Sequence, residues 1–269
     1  DRMRFDPRLE RLRPVMCYAL TPQMLASSFG WAHHQGFVAL KDTVNAHFAQ
    51  ARKVRVTCPL GTAFEGPGAG RTSWDQSDVS IARFPMSVFA PLPMAGFSGR
   101  IVQAGFLVGT GSRHYDPYVC PLDDLLTLSF HGTVITGFEG RPQDVARARD
   151  HYQAVCDRFG HDPFTLHSWH AGLHPGCAYP WPASADFARW SGAAFGNPRV
   201  LHVHSCGDYA PGEISLNIID PTVEVDGLAI WHDGVLNVRA IPGAAPILDR
   251  YPCLAQSFAH PAPEVGLGP

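Results

Sequence analysis

The sequence lacks the cysteine spacing of a disulfide framework or a zinc ribbon. Its seven cysteines are odd in number and scattered, and no two of them form a CxxC pair. Unpaired thiols of this kind are typical of a reducing compartment, in which structural disulfides are rare. We therefore expect a cytoplasmic protein.

The sequence also lacks a long apolar run and a strong charge of one sign. No segment approaches the roughly 20 apolar residues of a membrane-spanning helix, and the first residues are not followed by the apolar core of a signal peptide. A formal net charge of -3 offers no broad attraction for nucleic acid or acidic lipid. These absences argue against nucleic-acid and membrane partners, and we expect a small-molecule or peptide ligand.

The composition suits one folded domain, with 45% hydrophobic residues in a chain of 269. Thr21 and Pro22 have the residue types of a helix cap and a first helical position, and apolar residues then recur near helical spacing. The pattern predicts a helix that ends near residue 52 and is interrupted at Gly30 or Gly36. A second helix is predicted from Asp144 to residue 159.

Most of the remaining pattern predicts strands. A strand is predicted over residues 54–57 and a loop over residues 61–70. Short β-like runs follow this loop, with hairpin turns predicted at 131–132 and in the segment 222–236. We therefore predict an α+β fold, a β-rich single domain over residues 21–241. Residues 1–20 would be an N-terminal extension, and the Pro-rich residues 242–269 a tail that wraps the surface or a partner chain.

Five of the fourteen histidines fall between positions 167 and 204, in two tight clusters. The first contains His167, His170 and His174, and the second contains His202 and His204. A neutral imidazole binds a metal ion or moves a proton near neutral pH. This density marks the place where we expect chemistry.

The second cluster has the spacing of a chelate. His202 and His204 project to the same face of a strand, and His174, on a Gly/Pro turn, could approach from a neighbouring strand. With a carboxylate from Asp208 or Glu213, such a set resembles the facial arrangement of non-haem Fe(II) oxygenases, and zinc accepts the same ligands. We predict His174, His202 and His204 as metal ligands and Fe(II) or Zn as the cofactor.

The other candidates have roles beside the metal. His167, His170, Asp208 and Glu213 are candidate acid–base catalysts, which could also work without a metal. The remaining alternative is that the histidines are structural, with hydrogen bonds to the backbone or a place at an interface or the surface.

Four further residues are candidates for binding the substrate. Arg113 could hold a carboxylate through its planar guanidinium group, and Tyr115 lies on the same predicted loop. Trp169 lies within the first histidine cluster, and Tyr179 follows it. Both would form the floor of a pocket for a ring or a peptide side chain. Packing in the core explains such aromatic residues more often.

Several segments, in the same order, resemble the catalytic domain of M29-type metalloaminopeptidases, whose fold is similar to that of the iron-dependent 2,5-dihydroxypyridine dioxygenases. The similarity covers roughly residues 21–240, and the matching segments are 53–62 (KVRVTCPLGT), 97–102 (FSGRIV), 172–176 (GLHPG) and 220–227 (DPTVEVDG). The resemblance implies a domain like the C-terminal domain of the M29-type enzymes.

The metal-ligand positions of the peptidases are not retained. Ser168 stands where the peptidases have a Glu, and Asn217 and Ile219 stand where they have a His-x-Asp pair. The resemblance to the dioxygenases implies a histidine near position 174 and later ligands around residues 202–208. The dinuclear peptidase site is therefore not intact in this chain.

Two functions follow from these observations. The first is metal-assisted chemistry, as an oxygenase or hydrolase, on an amino-acid-derived, peptide-derived or aromatic substrate. The second is a catalytically inactive peptide-binding protein that presents a precursor peptide to other enzymes of natural-product biosynthesis, for example by β-strand addition. A homodimer is expected in both cases, because a β-rich face and a Pro-rich tail leave apolar surface to cover.

Overall fold

The computed structural model describes residues 8, 16–17, 20–70, 83–85, 88–110, 115–207 and 212–267. Two of the predicted site residues, Arg113 and Asp208, lie outside these ranges. The helices are α1 (Pro22–Leu25), α2 (Ser28–Trp31), α3 (His34–Gln50), α4 (Pro142–Phe159), α5 (Phe187–Ala193), α6 (Ala245–Arg250) and α7 (Pro252–Ala259). The strands are β1 (Met16–Cys17), β2 (Val54–Thr57), β3 (Ala63–Gly66), β4 (Arg83–Phe84), β5 (Leu92–Pro93), β6 (Ser98–Gln103), β7 (Phe106–Val108), β8 (Val119–Pro121), β9 (Leu126–His131), β10 (Val134–Gly140), β11 (Leu166–Ala171), β12 (Val200–Cys206), β13 (Glu213–Ile219), β14 (Thr222–Val225), β15 (Leu228–His232) and β16 (Val235–Leu236).

The predicted first helix is divided into α1, α2 and α3. Thr21 caps α1 as expected, since its hydroxyl accepts a hydrogen bond from the N–H of Met24 at 3.1 Å. A Cβ atom at Gly30 would lie 1.7 Å from the carbonyl oxygen of Leu25. Glycine therefore allows α2 to fold back against α1, which explains why the helical pattern is interrupted there.

Two antiparallel sheets carry the fold. The larger has the strand order β10-β9-β6-β3-β2-β14-β15-β16, and the smaller has the order β5-β11-β12-β13-β7-β8. Trp169 of β11 is fully buried and contacts Phe64 of β3 and Phe97 edge-on. These aromatic contacts join the two sheets through one core, and they confirm the α+β, β-rich single domain.

Helix α4 lies against the smaller sheet. It ends at Gly160 in the left-handed conformation, and the hydroxyl groups of Tyr152 and Ser205 are 2.6 Å apart. Cys156 and Cys206 form a disulfide, with their Cα atoms 6.2 Å apart, that ties α4 to the end of β12. This bond contradicts the expectation of unpaired thiols for two of the seven cysteines, although it is not the multi-bridge framework that the cysteine spacing argues against.

Two local predictions need correction. Residues 61–70 are not simply a loop, because β3 lies within them and pairs with both β2 and β6. The glycines on either side hid a strand whose Phe64 side chain packs into the core. The C-terminal residues 242–267 hold α6 and α7 and place Leu254 and Val265 in the core.

No helix within the described ranges is both long enough and apolar enough to span a bilayer.

Candidate metal centre

The second histidine cluster lies on β12 and faces a polar row on β13. In both strands the apolar side chains alternate with polar ones, and the register pairs His202 with Asn217 and His204 with Ser215. Residues directly opposite each other in an antiparallel pair project to the same side of the sheet. His202, His204, Ser215 and Asn217 therefore share one face.

That polar face is buried. The side chains of His202, His204, Ser215, Asn217 and Glu213 are all at most 5% exposed. An alternating strand normally turns its polar side chains to water, and burying polar groups costs free energy unless they find partners. A buried polar layer therefore needs an explanation in hydrogen bonds or a bound ion.

A third imidazole completes the group. His170 on β11 pairs with His202 across the β11–β12 register, which brings its side chain to the same face. The Nε2 atom of His170 lies 2.5 Å from Nε2 of His202 and 3.2 Å from Nε2 of His204. One nitrogen from each of the three histidines lies within 4.8 Å of the others.

The hydrogen bonds on the far side of two rings fix their tautomers. Nδ1 of His170 lies 3.1 Å from the carbonyl oxygen of Phe89, and Nδ1 of His204 lies 3.1 Å from Oε1 of Glu213. Carbonyl and carboxylate oxygens only accept, so each Nδ1 must donate. In the neutral rings, both Nε2 atoms therefore carry lone pairs, and these face each other at 3.2 Å.

Two facing lone pairs repel unless a cation, or an N–H donor such as Nε2–H of His202, lies beside them. A divalent metal ion satisfies both, since Nε2 of a neutral imidazole is a standard ligand for zinc and iron. Metal-bound histidines almost always donate the other ring N–H to a carboxylate or a backbone carbonyl, which are the partners of His204 and His170. The donor set therefore fits a transition-metal ion held by three imidazoles.

Aromatic and polar neighbours hold these rings in place. The ring of Phe195 stacks on His202, with centroids 4.1 Å apart and an angle of 18° between the planes. Thr110 donates its hydroxyl proton to Oε1 of Glu213 at 2.6 Å, and the hydroxyl of Tyr115 donates to the backbone carbonyl of Glu213 at 2.8 Å. Burial, with added repulsion from nearby tyrosine and glutamate charges, raises the pKa of Tyr115, so this hydroxyl stays protonated and can donate.

The structure brings together some of the predicted site residues. His202 and His204, predicted as ligands, lie beside His170, which the sequence suggested for acid–base catalysis. Glu213 contacts Nδ1 of His204, on the side of the ring away from the point where the Nε2 atoms meet. Tyr115 reaches the centre through the backbone of Glu213.

His174 lies apart from this group. Its Nε2 donates to the carbonyl oxygen of Phe29 at 3.0 Å, and its Nδ1 accepts from the N–H of Gly176 at 3.1 Å. The ring also stacks on Phe37. Burial lowers the pKa of His174 to about 3, so it stays neutral, and both of its nitrogens are used by the backbone.

Three other candidates have different surroundings. Nε2 of His167 lies 2.8 Å from the carbonyl oxygen of Cys206, in a surface cavity of about 290 Å³ that His161 and Asp162 also line. Trp169 is in the core between the sheets. Tyr179 contacts the C-terminal segment through a bridge to Val265 and donates its hydroxyl to the carbonyl oxygen of Asp186 at 3.3 Å.

Sequence reasoning missed the pairing of His170 with the second cluster and the polar row of β13. The alternation of Glu213, Ser215 and Asn217 with apolar residues was the available signal. It predicts a strand, but it does not predict which strand lies beside it.

Comparisons with known proteins give a fold but no family. No protein-family model matches the sequence, and no curated protein matches it. Among solved structures, the chain is similar to 2,5-dihydroxypyridine dioxygenase from Pseudomonas putida KT2440, at 15% identity and a TM-score of 0.53. The match covers 84% of this chain but only 64% of that protein. The likeness supports a distant structural relationship to this dioxygenase, whereas the M29-type resemblance stays a prediction.

Proposed function

We propose that this chain binds one divalent transition-metal ion, iron(II) or zinc, through Nε2 of His170, His202 and His204, and uses it for chemistry on a small molecule. The observation that carries the proposal is the convergence of three buried imidazoles, with Nε2 of His170 2.5 Å from Nε2 of His202 and 3.2 Å from Nε2 of His204. Three neutral imidazoles leave coordination positions open, as in catalytic metal sites rather than closed structural ones.

The protein residues have defined roles in this proposal. A bound ion supplies Lewis acidity or, as iron(II), oxygen activation. Glu213 and the carbonyl group of Phe89 hold the His204 and His170 rings with Nε2 directed inward. The ring of Phe195 covers His202 and keeps bulk water away, which strengthens electrostatic interactions at the centre.

We also propose a substrate class, amino-acid-derived, peptide-derived or aromatic. The structural neighbour is a dioxygenase of 2,5-dihydroxypyridine, an aromatic ring. The fold and a histidine centre suited to iron(II) support an oxygenase acting on a hydroxylated ring in particular. Oxygen consumption by the iron-loaded protein with 2,5-dihydroxypyridine and related catechols tests this part, and absence of turnover with every ring would contradict it.

Metal analysis of protein purified without a histidine tag tests the proposal as a whole. We expect about one equivalent of iron or zinc per chain. Replacing His170, His202 or His204 singly with Ala should reduce the bound metal strongly, because each removes one of three ligands.

His260→Ala is the matched control, since His260 is exposed and remote in sequence from the centre. It should keep the full equivalent. A wild-type protein that takes up no metal, or that loses none in the three single variants, contradicts the proposal.

A second candidate function is peptide binding by a homodimer. Strand β16 ends the larger sheet, and beside it lies a cavity of about 490 Å³ that Val235, Leu248 and Phe258 line. An extended peptide can add to such an edge and place side chains in the cavity. Micromolar peptide affinity that survives removal of the metal by a chelator would favour this function over the first.

A further inference from the structure

The disulfide between Cys156 and Cys206 lies at the end of the strand that carries two of the three clustered histidines. Cys206 is the last residue of β12, two residues after His204, and Cys156 is on α4. Both cysteines are at most 2% exposed. The bond therefore fastens the end of β12 to a helix that lies against the sheet.

Two contacts lead from this bond to the histidine centre. Cys206 pairs with Glu213 as the last strand pair of the β12–β13 ladder, and Oε1 of Glu213 faces Nδ1 of His204 at 3.1 Å. Thr110 and Tyr115 hold Glu213 from the segment between β7 and β8. Cys206 holds it from β12. The carboxylate that supports His204 therefore belongs to the residue directly opposite the disulfide.

The backbone of Cys206 has a conformation that needs outside support. Its φ angle is 64°, in the left-handed region that residues other than glycine rarely occupy. The N–H of Cys206 donates to the carbonyl oxygen of Thr165 at 2.8 Å, and its own carbonyl oxygen accepts from Nε2 of His167 at 2.8 Å. The disulfide adds a covalent support to these two hydrogen bonds. Since strain of this kind persists only where the surroundings impose it, loss of the bond would let the end of β12 relax.

A surface cavity adjoins this end of β12. It has a volume of about 290 Å³, and its lining includes Cys206 together with His161, Asp162 and His167. A cavity of roughly this volume is at the lower end of the range for small-molecule sites. Its polar lining suits a small polar thiol, which would lie against Cys206 there.

We propose that the Cys156–Cys206 pair is a redox switch that sets the metal affinity of the histidine centre. The switch rests on the proposed metal site and is a means of regulating it. In the oxidised state, the S–S bond holds Cys206 in place and so keeps its partner Glu213 beside His204.

Reduction breaks this bond by exchange with two molecules of a small thiol such as glutathione. Each small thiol gives up one electron and one proton, the two small molecules join in a new S–S bond, and Cys156 and Cys206 become thiols. The end of a strand is where local opening occurs most easily. In the reduced state, Glu213 therefore spends less time beside His204, and the centre binds metal more weakly.

The zinc affinity of the wild-type protein in its two redox states tests the switch. The protein is equilibrated with oxidised or reduced glutathione, freed of it under nitrogen, and titrated with zinc against a chelator of known affinity. The number of thiols that react in the denatured protein should be two higher after reduction. We expect the reduced protein to bind zinc at least about threefold more weakly, as part of the roughly ten- to hundredfold effect of losing a supporting partner.

Three variants separate the switch from other effects of the reductant. Cys156→Ala cannot form the bond and leaves β12 unchanged, so it should have the weaker affinity after both treatments. Glu213→Ala should bind zinc weakly and equally in both states, because the switch acts through its carboxylate. Cys253→Ala is the control, since it removes a thiol outside the disulfide and should keep the wild-type response. The comparison of the two wild-type states needs no substitution, so it decides the matter if a variant does not fold.

The outcomes distinguish the switch from the metal site itself. Equal wild-type zinc affinities in the two states, with the thiol count showing that the bond had been broken, overturn the switch alone. A thiol count that is the same after both treatments also overturns it, and a wild-type response in Glu213→Ala overturns the route through that residue. A wild-type protein that takes up no zinc in either state overturns the proposed function, and the switch with it.

Discussion

Glu213 acts on the centre through His204, because its Oε1 faces Nδ1 of that ring at 3.1 Å while the Nε2 atoms converge on the other side. Thr110 donates to the same oxygen. The carboxylate therefore fixes the tautomer of His204 and makes Nε2 a better donor to a metal.

Replacing Glu213 with Gln should weaken metal binding by roughly ten- to a hundredfold, because a neutral amide oxygen holds the Nδ1 proton less strongly than a carboxylate. Competition with a chelator of known affinity measures the change. Glu65→Gln, at an exposed position on β3, is the control. Unchanged affinity in the Glu213 variant would show that this carboxylate does not support the centre.

At the scale of single residues, the sequence predicted His202 and His204 as metal ligands, but it did not predict His170 as the third ligand. His202 and His204 alternate along one strand, and alternation is a local property that a sequence displays. His170 joins them through the pairing of β11 with β12, which depends on contacts between segments about 30 residues apart. The same limit applies to His174, whose Gly/Pro turn suggested a metal ligand but whose ring packs against Phe29 and Phe37.

At the scale of elements, His174 joins helix α2 to the turn after β11. Its ring donates to the carbonyl group of Phe29 and accepts from the N–H of Gly176, a pattern that only the neutral ring can make. Burial lowers the pKa of His174 to about 3, from an ordinary value of 6.5. The contact between helix α2 and the turn after β11 therefore depends on pH.

We expect the metal-free protein to lose stability as pH falls below about 6.5. In that range the unfolded chain takes up the proton of His174 before the folded chain does, so the contribution is complete above pH 6.5 and declines toward pH 3. The slope from this one group is at most about 1.4 kcal/mol per pH unit. Burial also lowers the pKa of His151, to about 4, which adds a slope of the same sign.

Urea unfolding at pH 7.5, 6 and 5 checks this expectation. His174→Gln should be less stable at pH 7.5 and should show a shallower pH dependence than the wild-type protein. His260→Gln, at an exposed position, should follow the wild-type curve. Parallel curves for wild type and His174→Gln would mean that His174 is not the pH-dependent contact.

The elements with strong local signals were predicted well. Helix α4 has an amphipathic pattern and a terminal Gly160, and the β9–β10 and β14–β15 hairpins have Gly-containing turns, of which 226–227 adopts positive φ at both residues. Strand β3 was missed because the glycine-rich composition around it indicates a loop. Its position depends on pairing with β2 and β6, which local pattern does not encode.

For the whole molecule, we propose that two copies associate as a homodimer through the edge of the larger sheet, so that in the peptide-binding alternative a peptide would compete with the second copy for β16. Strand β16 pairs with β15 on one side, and the side chain of Val235 is 52% exposed. Exposed apolar edge strands readily pair with another chain, and lysine at an edge prevents this. Light scattering should give twice the chain mass for the wild-type protein and one chain mass for Val235→Lys.

Leu60→Lys is the control for the dimer, because Leu60 is 40% exposed and lies in the turn between β2 and β3. It should leave the mass at two chains. A monomer mass for the wild-type protein at dilute concentration contradicts the dimer but does not affect the metal centre.

The domain boundaries are also a proposal for the whole molecule. We place the domain at residues 21–241, with residues 1–20 as an extension and 242–269 as a tail. Because α7 and Val265 contribute side chains to the core, we expect the tail to be needed for stability. The contacts of this tail are a property of the complete fold, and its proline content alone suggested only an irregular segment.

X-ray absorption at the metal edge of the tag-free, metal-loaded protein tests the central claim most directly. We predict three imidazole nitrogens at about 2.0–2.2 Å, seen through the outer-shell scattering of the rings, with two imidazoles remaining in any residual metal of His204→Ala. A first shell with one imidazole or none, or a spectrum that His204→Ala leaves unchanged, would contradict a centre built from His170, His202 and His204.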